Sequence, residues 1–539
     1  MREQMPALAT ISNFLRSCLL LLCLFAPSAW MIATIPPLWR DSDANIQATE
    51  NPLHSTFWGF GPGYCYAVKV PLFAGEQLER LRGHVPASRA AGSSQPSLTD
   101  SGVWLLIAGQ HLALCGAAFY FIVAVTRLFW LRLALALTWA SNALAYTFAH
   151  CVGSETLSLI FIILLVGKAL RLIRSGGEPG WRDWYGFAIA LCVCILSRHL
   201  NLILMALLPA TFLLSWIVHR ALGFLASDDR QKIELRQLRA RDLRQAVIAT
   251  AIGIACFAMT NLAVHKLARK TRFHPHSRIG FTFLWRLHFL QDFTPEARAA
   301  LLHKVAARTH SPEVRKLLAL LEQMLAERAD LITTGPLMQR AIELFNGPLH
   351  WEELDRALNQ MAFAFLLPPT TELLHAARTD FVAVLRMPST EISSSLFATT
   401  AYYFDNKEQM PGCAELVTFR GGANAEKIWQ LQFQHRYFRL WQGLSYNCAL
   451  AVWVVALSIF VVTVRRRKLD PGTISAFGIA LTAIGITFVI ATCVLDEFSP
   501  RFALPMWQLL LLSFYIFLGK TADLVAIDIR RSSLNLASR

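Results

Sequence analysis

Long apolar segments, separated by shorter polar ones, dominate this chain. Ten of them lie at about 13–35, 103–126, 129–150, 155–173, 184–197, 200–219, 244–265, 445–464, 473–494 and 503–519. About 20 apolar residues in a helix cross the hydrocarbon core of a bilayer. The pattern therefore predicts an all-α polytopic membrane protein with about ten transmembrane helices.

The apolar stretch 184–219 needs a separate interpretation because it is too long for one span. Arg198 and His199 lie at its centre, where a charge in the middle of the bilayer would cost several kcal/mol. We therefore predict two short helices that meet at Arg198 and His199. The first apolar segment continues to Pro37, which favours a retained helix over a cleaved signal peptide.

Basic residues give this layout a direction. With the N-terminus in the cytoplasm, the cytoplasmic segments hold 21 Lys and Arg, whereas the three short outer turns hold only Arg198 and Arg501. Membrane proteins keep such an excess of positive charge on the cytoplasmic side. We therefore expect an integral membrane protein with both termini in the cytoplasm.

Two long segments fall on the outer side, and they define the domain organisation. We expect residues 1–265 to form a transmembrane module with a first outer loop at 36–102. We expect residues 266–444 to form an extracytoplasmic domain between helices seven and eight, and residues 445–539 to form a second transmembrane module with a cytoplasmic tail.

The extracytoplasmic domain carries signals of soluble helices. Thr294 and Ser311 are each followed by Pro and Glu, which is typical of an N-cap, a first helical position and an acidic first turn. Apolar residues after Ser311 repeat at helical spacing. Further helices are expected from Pro348 and Thr371, so this large domain is predicted to be helical.

The placement of charges and the absence of one motif argue against two classes of function. The net charge of +15 would suit a nucleic-acid partner, but most Lys and Arg lie in short loops between apolar segments, so we expect no nucleic-acid binding. No GxxxxGK[ST] motif is present and no cytoplasmic loop is long enough for a nucleotide-binding domain, which argues against an ATPase or a kinase.

Three carboxylates near the outer membrane surface are candidates for chemistry. Asp41 and Asp43 follow the first helix, where either is able to act as a general base or to hold a divalent cation. The alternative is a solvated loop with a helix cap. Glu155 follows Ser154, so it belongs either to a capped helix start or to the mouth of an outer cavity.

Basic residues at the outer surface are candidates for binding an anion. Arg198 and His199 either reach lipid headgroups or bind an anionic group in a cavity. Arg501 either binds a phosphate or pairs with Asp496 or Glu497. A further basic group includes Lys266, Arg269 and Arg272. The aromatic stretch 281–293 follows it, and together they suit lipid phosphates or general membrane anchoring.

The order of these motifs resembles the GT-C superfamily of membrane glycosyltransferases over roughly residues 13–265 and 445–520. The motifs are Trp39-Arg40-Asp41-Ser42-Asp43, Ser154-Glu155-Thr156-Leu157-Ser158, Ser197-Arg198-His199-Leu200-Asn201 and Arg501-Phe502-Ala503-Leu504-Pro505. The first loop departs from the pattern, because Asn45 and Ile46 stand where many relatives have an acid next to a tyrosine.

The resemblance implies transfer of a hexosyl or pentosyl group from a polyprenyl-phosphate donor to a glycan, lipid or protein acceptor. It implies Asp41 or Asp43 as catalytic base, without choosing between them. It also implies a bacterial inner membrane, where such enzymes build the cell envelope. The residues that would bind substrate are Glu155, Arg198, His199, Lys266, Arg269, Arg272 and Arg501. A transporter or flippase, or a non-catalytic membrane scaffold, is the alternative.

Overall fold

The protein is described from a computed structural model. The described residues are 4–35, 37–39, 62–83, 99–174, 180–225, 229–270, 279–327, 334–346, 350–394, 396, 444–466, 472–496 and 499–537. This part of the chain is almost entirely helical. The prediction of an all-α membrane protein is confirmed at that level.

Eight helices of the described chain are long and apolar enough to cross a membrane. The helical segments that contain them are α1 (Gln4–Thr34), α4 (Asp100–Val125), α7 (Ser154–Arg174), a 3-10 turn (His199–Ala206) that continues into α9 (Leu207–Leu225), α10 (Asp229–Lys270), α17 (Tyr446–Arg466), α18 (Gly472–Leu495), and a 3-10 turn (Pro500–Ala503) that continues into α19 (Leu504–Ala537). Ten spans were predicted from the sequence, and that exact number stays a prediction.

The two remaining predicted spans are shorter than expected. The segment 129–150 is divided into α5 (Phe129–Ala140) and α6 (Ala143–Ala149), with Asn142 between them. The segment 184–197 forms α8 (Trp181–Ser197), which has 17 residues. Helix α8 ends at Arg198, whose backbone is extended (φ −154°, ψ 132°). The helix break predicted at Arg198 and His199 is confirmed.

The membrane helices pack around a common hydrophobic core. Helices α4, α7 and α19 lie at its centre, whereas α1 and α17 expose most of their apolar surface, as lipid-facing helices do. Buried polar groups connect the helices away from the Glu155 end. The carboxylate of Asp242 in α10 accepts hydrogen bonds from the Ser215 hydroxyl (2.7 Å) and the His219 ring (2.8 Å), both in α9.

The long segment after α10 has a second hydrophobic core of its own. Its elements are α11 (Ile279–Arg286), a 3-10 turn (Leu287–Asp292), α12 (Pro295–Ala306), α13 (Pro312–Glu327), α14 (Thr334–Leu344), α15 (Trp351–Leu366) and α16 (Thr371–Arg386). The predicted caps are present, because Thr294 accepts from the Ala297 amide (3.4 Å) and Ser311 from the Val314 amide (3.4 Å). The described part of this segment is therefore helical as predicted, whereas the domain bounds 266–444 stay a prediction.

The aromatic residues after α10 have a different role from the one predicted. Phe281, Phe283 and Phe289 are buried in the second core, where Phe283 packs against Phe365 with ring centroids 5.3 Å apart. Only Trp285 of this group is substantially exposed. The prediction that these phenylalanines form a membrane-binding belt is therefore wrong. They pack in the core of the helical segment.

A small structure that the sequence did not predict connects the segment after α1 to the bundle. Strand β1 (Leu38–Trp39) pairs in parallel with β2 (Cys151–Val152), so that Trp39 lies opposite Val152. The short helices α2 (Pro62–Ala67) and α3 (Lys69–Leu81) pack beside them on α4 through Tyr64, Val68 and Leu72.

The close contact between α3 and α4 gives a test of this packing. A Cβ atom added at Gly75 in α3 would overlap the backbone of Gly102 in α4, whereas one added at Gly116 in α4 would meet open space. We expect Gly75→Ala to lower stability by about 1–3 kcal/mol, because two helix backbones must separate. Gly116→Ala should leave it unchanged or raise it slightly.

Thermal unfolding of the two variants in the same detergent checks this expectation. Equal unfolding midpoints for Gly75→Ala and wild type would contradict the close approach of α3 and α4.

Candidate functional site

A buried carboxylate and two arginines meet at one end of the helix bundle. The Oε1 atom of Glu155 lies 3.5 Å from Nη1 of Arg198 and 3.4 Å from Nη1 of Arg501. Only 4% of the Glu155 side chain is exposed, and 13% and 12% of the two arginine side chains. The three groups together carry a net charge of +1 in a largely water-excluded place.

Each of the three charged residues comes from the end of a helical element. Glu155 lies in the first turn of α7, where the positive end of the helix dipole favours a carboxylate. Arg198 occupies the extended link after α8, and Arg501 lies in the 3-10 turn that precedes α19. Charged side chains at these ends avoid the middle of the bilayer.

An aromatic ring packs against both guanidinium groups. The Cζ atoms of Arg198 and Arg501 lie 5.8 Å and 5.0 Å from the ring centroid of Phe502. A cation near an aromatic face is attracted by the ring quadrupole. Phe502 thus helps to hold the two arginines on the same carboxylate.

Hydrogen bonds beneath the ion pairs hold the Arg198 link in place. Asn201 is buried, and its Nδ2 donates to Oγ of Ser158 (2.8 Å) in α7 and to the carbonyl of Cys194 (2.7 Å) in α8. These bonds connect both helices to the segment after Arg198. They explain why Arg198 has a defined position although it lies in the extended link between two helical elements.

A chain of two buried histidines holds the segment that follows α1. Nε2 of His150 lies 2.8 Å from the carbonyl of Ile35, and its Nδ1 lies 3.0 Å from Nε2 of His111. Nδ1 of His111 lies 2.9 Å from the hydroxyl of Ser28. The amide of Leu38 donates to the carbonyl of His150 (2.9 Å). The end of α1 and strand β1 are thereby attached to α4 and β2.

Tyr64 and Gln110 fix the opposite side of β2. The Tyr64 hydroxyl donates to Oε1 of Gln110 (3.2 Å), and Nε2 of Gln110 donates to the carbonyls of Ala149 (3.1 Å) and Cys151 (3.0 Å). Burial raises the pKa of Tyr64 well above its ordinary value, and the nearby Cys151, Cys65 and Glu155 raise it further. Tyr64 therefore remains a neutral hydrogen-bond donor at physiological pH.

The structure brings three of the predicted site residues together, namely Glu155, Arg198 and Arg501. His199 follows Arg198 directly, is half-buried and begins the 3-10 turn. Arg501 was expected to bind a phosphate or to pair with Asp496 or Glu497. It shares Glu155 with Arg198, a contact that spans 346 positions of the chain and gives no local signal, and the expected phosphate or acidic partner stays a prediction.

The other predicted residues lie elsewhere or outside the described chain. Lys266 is exposed near the end of α10, and the ion pairs to Glu155 described above do not involve it. Arg269 belongs to the same helix, and its side chain is not described. Asp41, Asp43 and Arg272 lie outside the described residues.

Two details differ from what the sequence suggested around Glu155. Helix α7 begins at Ser154 itself, so Ser154 is a helical residue and does not precede the helix as its cap. Sequence reasoning also missed the strand pair and the contact between His111 and His150. His111 and His150 lie within apolar segments, and no spacing between them indicated that they meet.

Metal ligation finds no support within the described ranges. They contain no group of three or more His, Cys, Asp or Glu side chains placed to hold a metal ion. Asp41 and Asp43, the carboxylates proposed for a divalent cation, are not among these residues.

Removing the shared carboxylate tests the ion-pair geometry. We expect Glu155→Gln to lower stability by about 3–5 kcal/mol, because two buried guanidinium groups lose their common counter-charge. Arg501→Gln should lower stability by less, since Arg198 still neutralises Glu155. Thermal unfolding in detergent measures both.

The matched control for Glu155→Gln is Glu234→Gln, which removes an exposed pair with Arg230 (3.7 Å). Exposed pairs contribute about 0–1 kcal/mol, so its unfolding midpoint should hardly change. If Arg501→Gln lowered stability as much as Glu155→Gln does, the result would argue against a carboxylate shared between the two arginines.

Comparison of the chain with protein-family models, curated proteins and solved structures found no match.

Proposed function

We propose that this chain is a membrane glycosyltransferase that moves a hexosyl or pentosyl group from a polyprenyl-phosphate donor to an acceptor at the extracytoplasmic face. The observation that carries the proposal is the convergence of Arg198 and Arg501 on buried Glu155. The alternative of a non-catalytic scaffold predicts that such residues are scattered and exposed.

The two arginines suit the leaving group of this reaction. As the bond between the anomeric carbon and the phosphate oxygen breaks, negative charge grows on the polyprenyl phosphate. Fixed cations in a water-excluded site stabilise such charge without having to reorient. Glu155 holds both guanidinium groups in place before substrate binds, and it competes with the phosphate for them.

The acceptor needs a base, which in this proposal is Asp41 or Asp43. The carboxylate takes the proton of the acceptor hydroxyl while the hydroxyl oxygen attacks the anomeric carbon. The configuration at that carbon therefore inverts. Support comes from strand β1, because Trp39 lies opposite Val152, and Val152 is three residues before Glu155. Asp41 follows Trp39 by two residues.

The direction of the chain in the membrane is part of the proposal. Arg171 and Arg174 lie at the end of α7 remote from Glu155, and Arg465 and Arg466 end α17. Positive charge is retained on the cytoplasmic side. Glu155 would accordingly face the extracytoplasmic side, in a bacterial inner membrane with cytoplasmic termini.

A transporter or flippase is the second candidate, and one observation favours it. The predicted span 129–150 is broken at Ser141 and Asn142. Discontinuous helices often form the substrate site of secondary transporters. A transporter would move a lipid or solute without breaking a glycosidic bond, which separates the two candidates chemically.

The test is sugar transfer by purified full-length protein in lipid, with a panel of polyprenyl-phosphate sugars. We expect wild type to transfer one of them. Asp41→Asn or Asp43→Asn should lower the rate by a factor of at least about 100, in line with loss of a general base. Arg501→Gln should lower it as well, because the leaving phosphate loses a cation.

Asp229→Asn serves as the matched control, because Asp229 is an exposed acid in the first turn of α10. It should retain the wild-type rate. Full transfer by both Asn variants would remove both acids from the mechanism. Movement of labelled lipid across the bilayer without any transfer would select the transporter.

A further inference from the structure

A mostly apolar cavity of about 170 Å³ lies between α5–α6, α17 and α19. Leu444, Val452 and Phe514 are among the apolar residues that line it, and Asn142, Trp507 and Gln508 supply polar atoms. None of the described residues that line the cavity is charged. It differs in this respect from the Glu155 site.

The three polar residues share an unusual property. Asn142, Trp507 and Gln508 are 4%, 5% and 2% exposed. The Nδ2 of Asn142, the Nε1 of Trp507 and the Nε2 of Gln508 find no hydrogen-bond acceptor within the described ranges. A buried N–H group without an acceptor costs about 1–3 kcal/mol, so three around one cavity indicate a ligand that accepts hydrogen bonds.

The orientation of the Asn142 amide is defined by the fold. Its Oδ1 accepts from the backbone amide of Ala145 (3.4 Å) and caps α6, which leaves Nδ2 as the free donor. Asn142 therefore caps the start of α6, lines the cavity and keeps an N–H without an acceptor among the described residues.

The position of the cavity along the bundle restricts which part of a lipid is able to reach it. Helix α17 has 21 residues, which corresponds to about 30 Å, the thickness of the hydrocarbon core. Its first residue, Tyr446, packs against Trp507 with ring centroids 5.6 Å apart. Leu444 and Trp507 thus lie where the hydrocarbon core meets the headgroup region, at the bundle end that carries Glu155.

We propose that this cavity binds the glycerol-ester region of a membrane phospholipid. The ester carbonyls of such a lipid are uncharged acceptors at this depth, and its acyl chains match the apolar walls. A phosphate would call for Arg or Lys, and none of the described lining residues is either. This cavity is distinct from the Glu155 ion pairs, and lipid binding there does not depend on sugar transfer.

The test compares two lipids that differ only in the proposed acceptors. Full-length protein is depleted of lipid in detergent, and its thermal unfolding is followed during titration with diacyl phosphatidylglycerol or with the dialkyl ether analogue of equal chain length. The ether lipid lacks the carbonyls. We expect the diacyl lipid to bind about five-fold more tightly, as one net hydrogen bond predicts.

Two variants locate the effect. Gln508→Leu and Trp507→Phe each remove a donor and should reduce or abolish the preference for the diacyl lipid. Trp453→Phe is the matched control, because it removes an indole N–H that already donates to Ser513 (2.7 Å) and Trp453 is not among the residues that line the cavity. It should lower stability and keep the preference.

Each other outcome overturns the proposal. Equal binding of the two lipids by wild type would mean that the carbonyls are not recognised and that water or a hydrocarbon chain serves the cavity. A preference that survives in both Gln508→Leu and Trp507→Phe would place the lipid elsewhere. If binding changed only when the headgroup was changed, with phosphatidylethanolamine in place of phosphatidylglycerol, the lipid would bind at a surface site.

Discussion

The cost of burying charge is the constraint on which the Glu155 end of this bundle depends. A lone carboxylate with 4% of its side chain exposed would be strongly unfavourable, and two arginines remove that penalty only if their helices end at the right place. Helix α8 therefore stops before Arg198, and α19 begins after Arg501. The same arrangement keeps two cations close together, which without Glu155 would repel each other.

A second constraint concerns the protons in the hydrogen-bonded chain of His150, His111 and Ser28. The carbonyl of Ile35 accepts only, so Nε2 of His150 carries its proton, and neutral His150 must accept at Nδ1 from Nε2 of His111. His111 in turn accepts from the hydroxyl of Ser28. A second proton on His150 would require His111 to carry its own proton at Nδ1, toward the Ser28 hydroxyl, whereas a second proton on His111 would itself lie at Nδ1 beside that hydroxyl. The protons of the two rings are thus coupled, and the rings together connect the end of α1 to α4.

Local patterns predicted the elements of this fold, and long-range contacts escaped them. Apolar segments of about 20 residues, the caps at Thr294 and Ser311 and the break at Arg198 are all properties of neighbouring residues, and the structure contains them. The break at Asn142 was missed because the apolar pattern continues through it. The phenylalanines between 281 and 293 were misread, because a membrane belt and a protein core show the same composition. Glu155, Arg198 and Arg501 were each singled out, but their shared ion pair depends on how α7, α8 and α19 pack.

One helical segment contributes to both the Glu155 site and the apolar cavity, because Arg501 lies in the 3-10 turn that continues into α19 and Trp507 and Gln508 lie in α19 itself. Trp507 and Gln508 follow Arg501 by six and seven residues, about 10 Å along the chain at the rise of a helix. A ligand that satisfies the N–H groups of Asn142, Trp507 and Gln508 would tie α19 to the break between α5 and α6. Such a ligand would stabilise this packing of α19 to the extent that it binds this arrangement more tightly than any other. Lipid in the cavity would then stabilise the position of Arg501 without touching it.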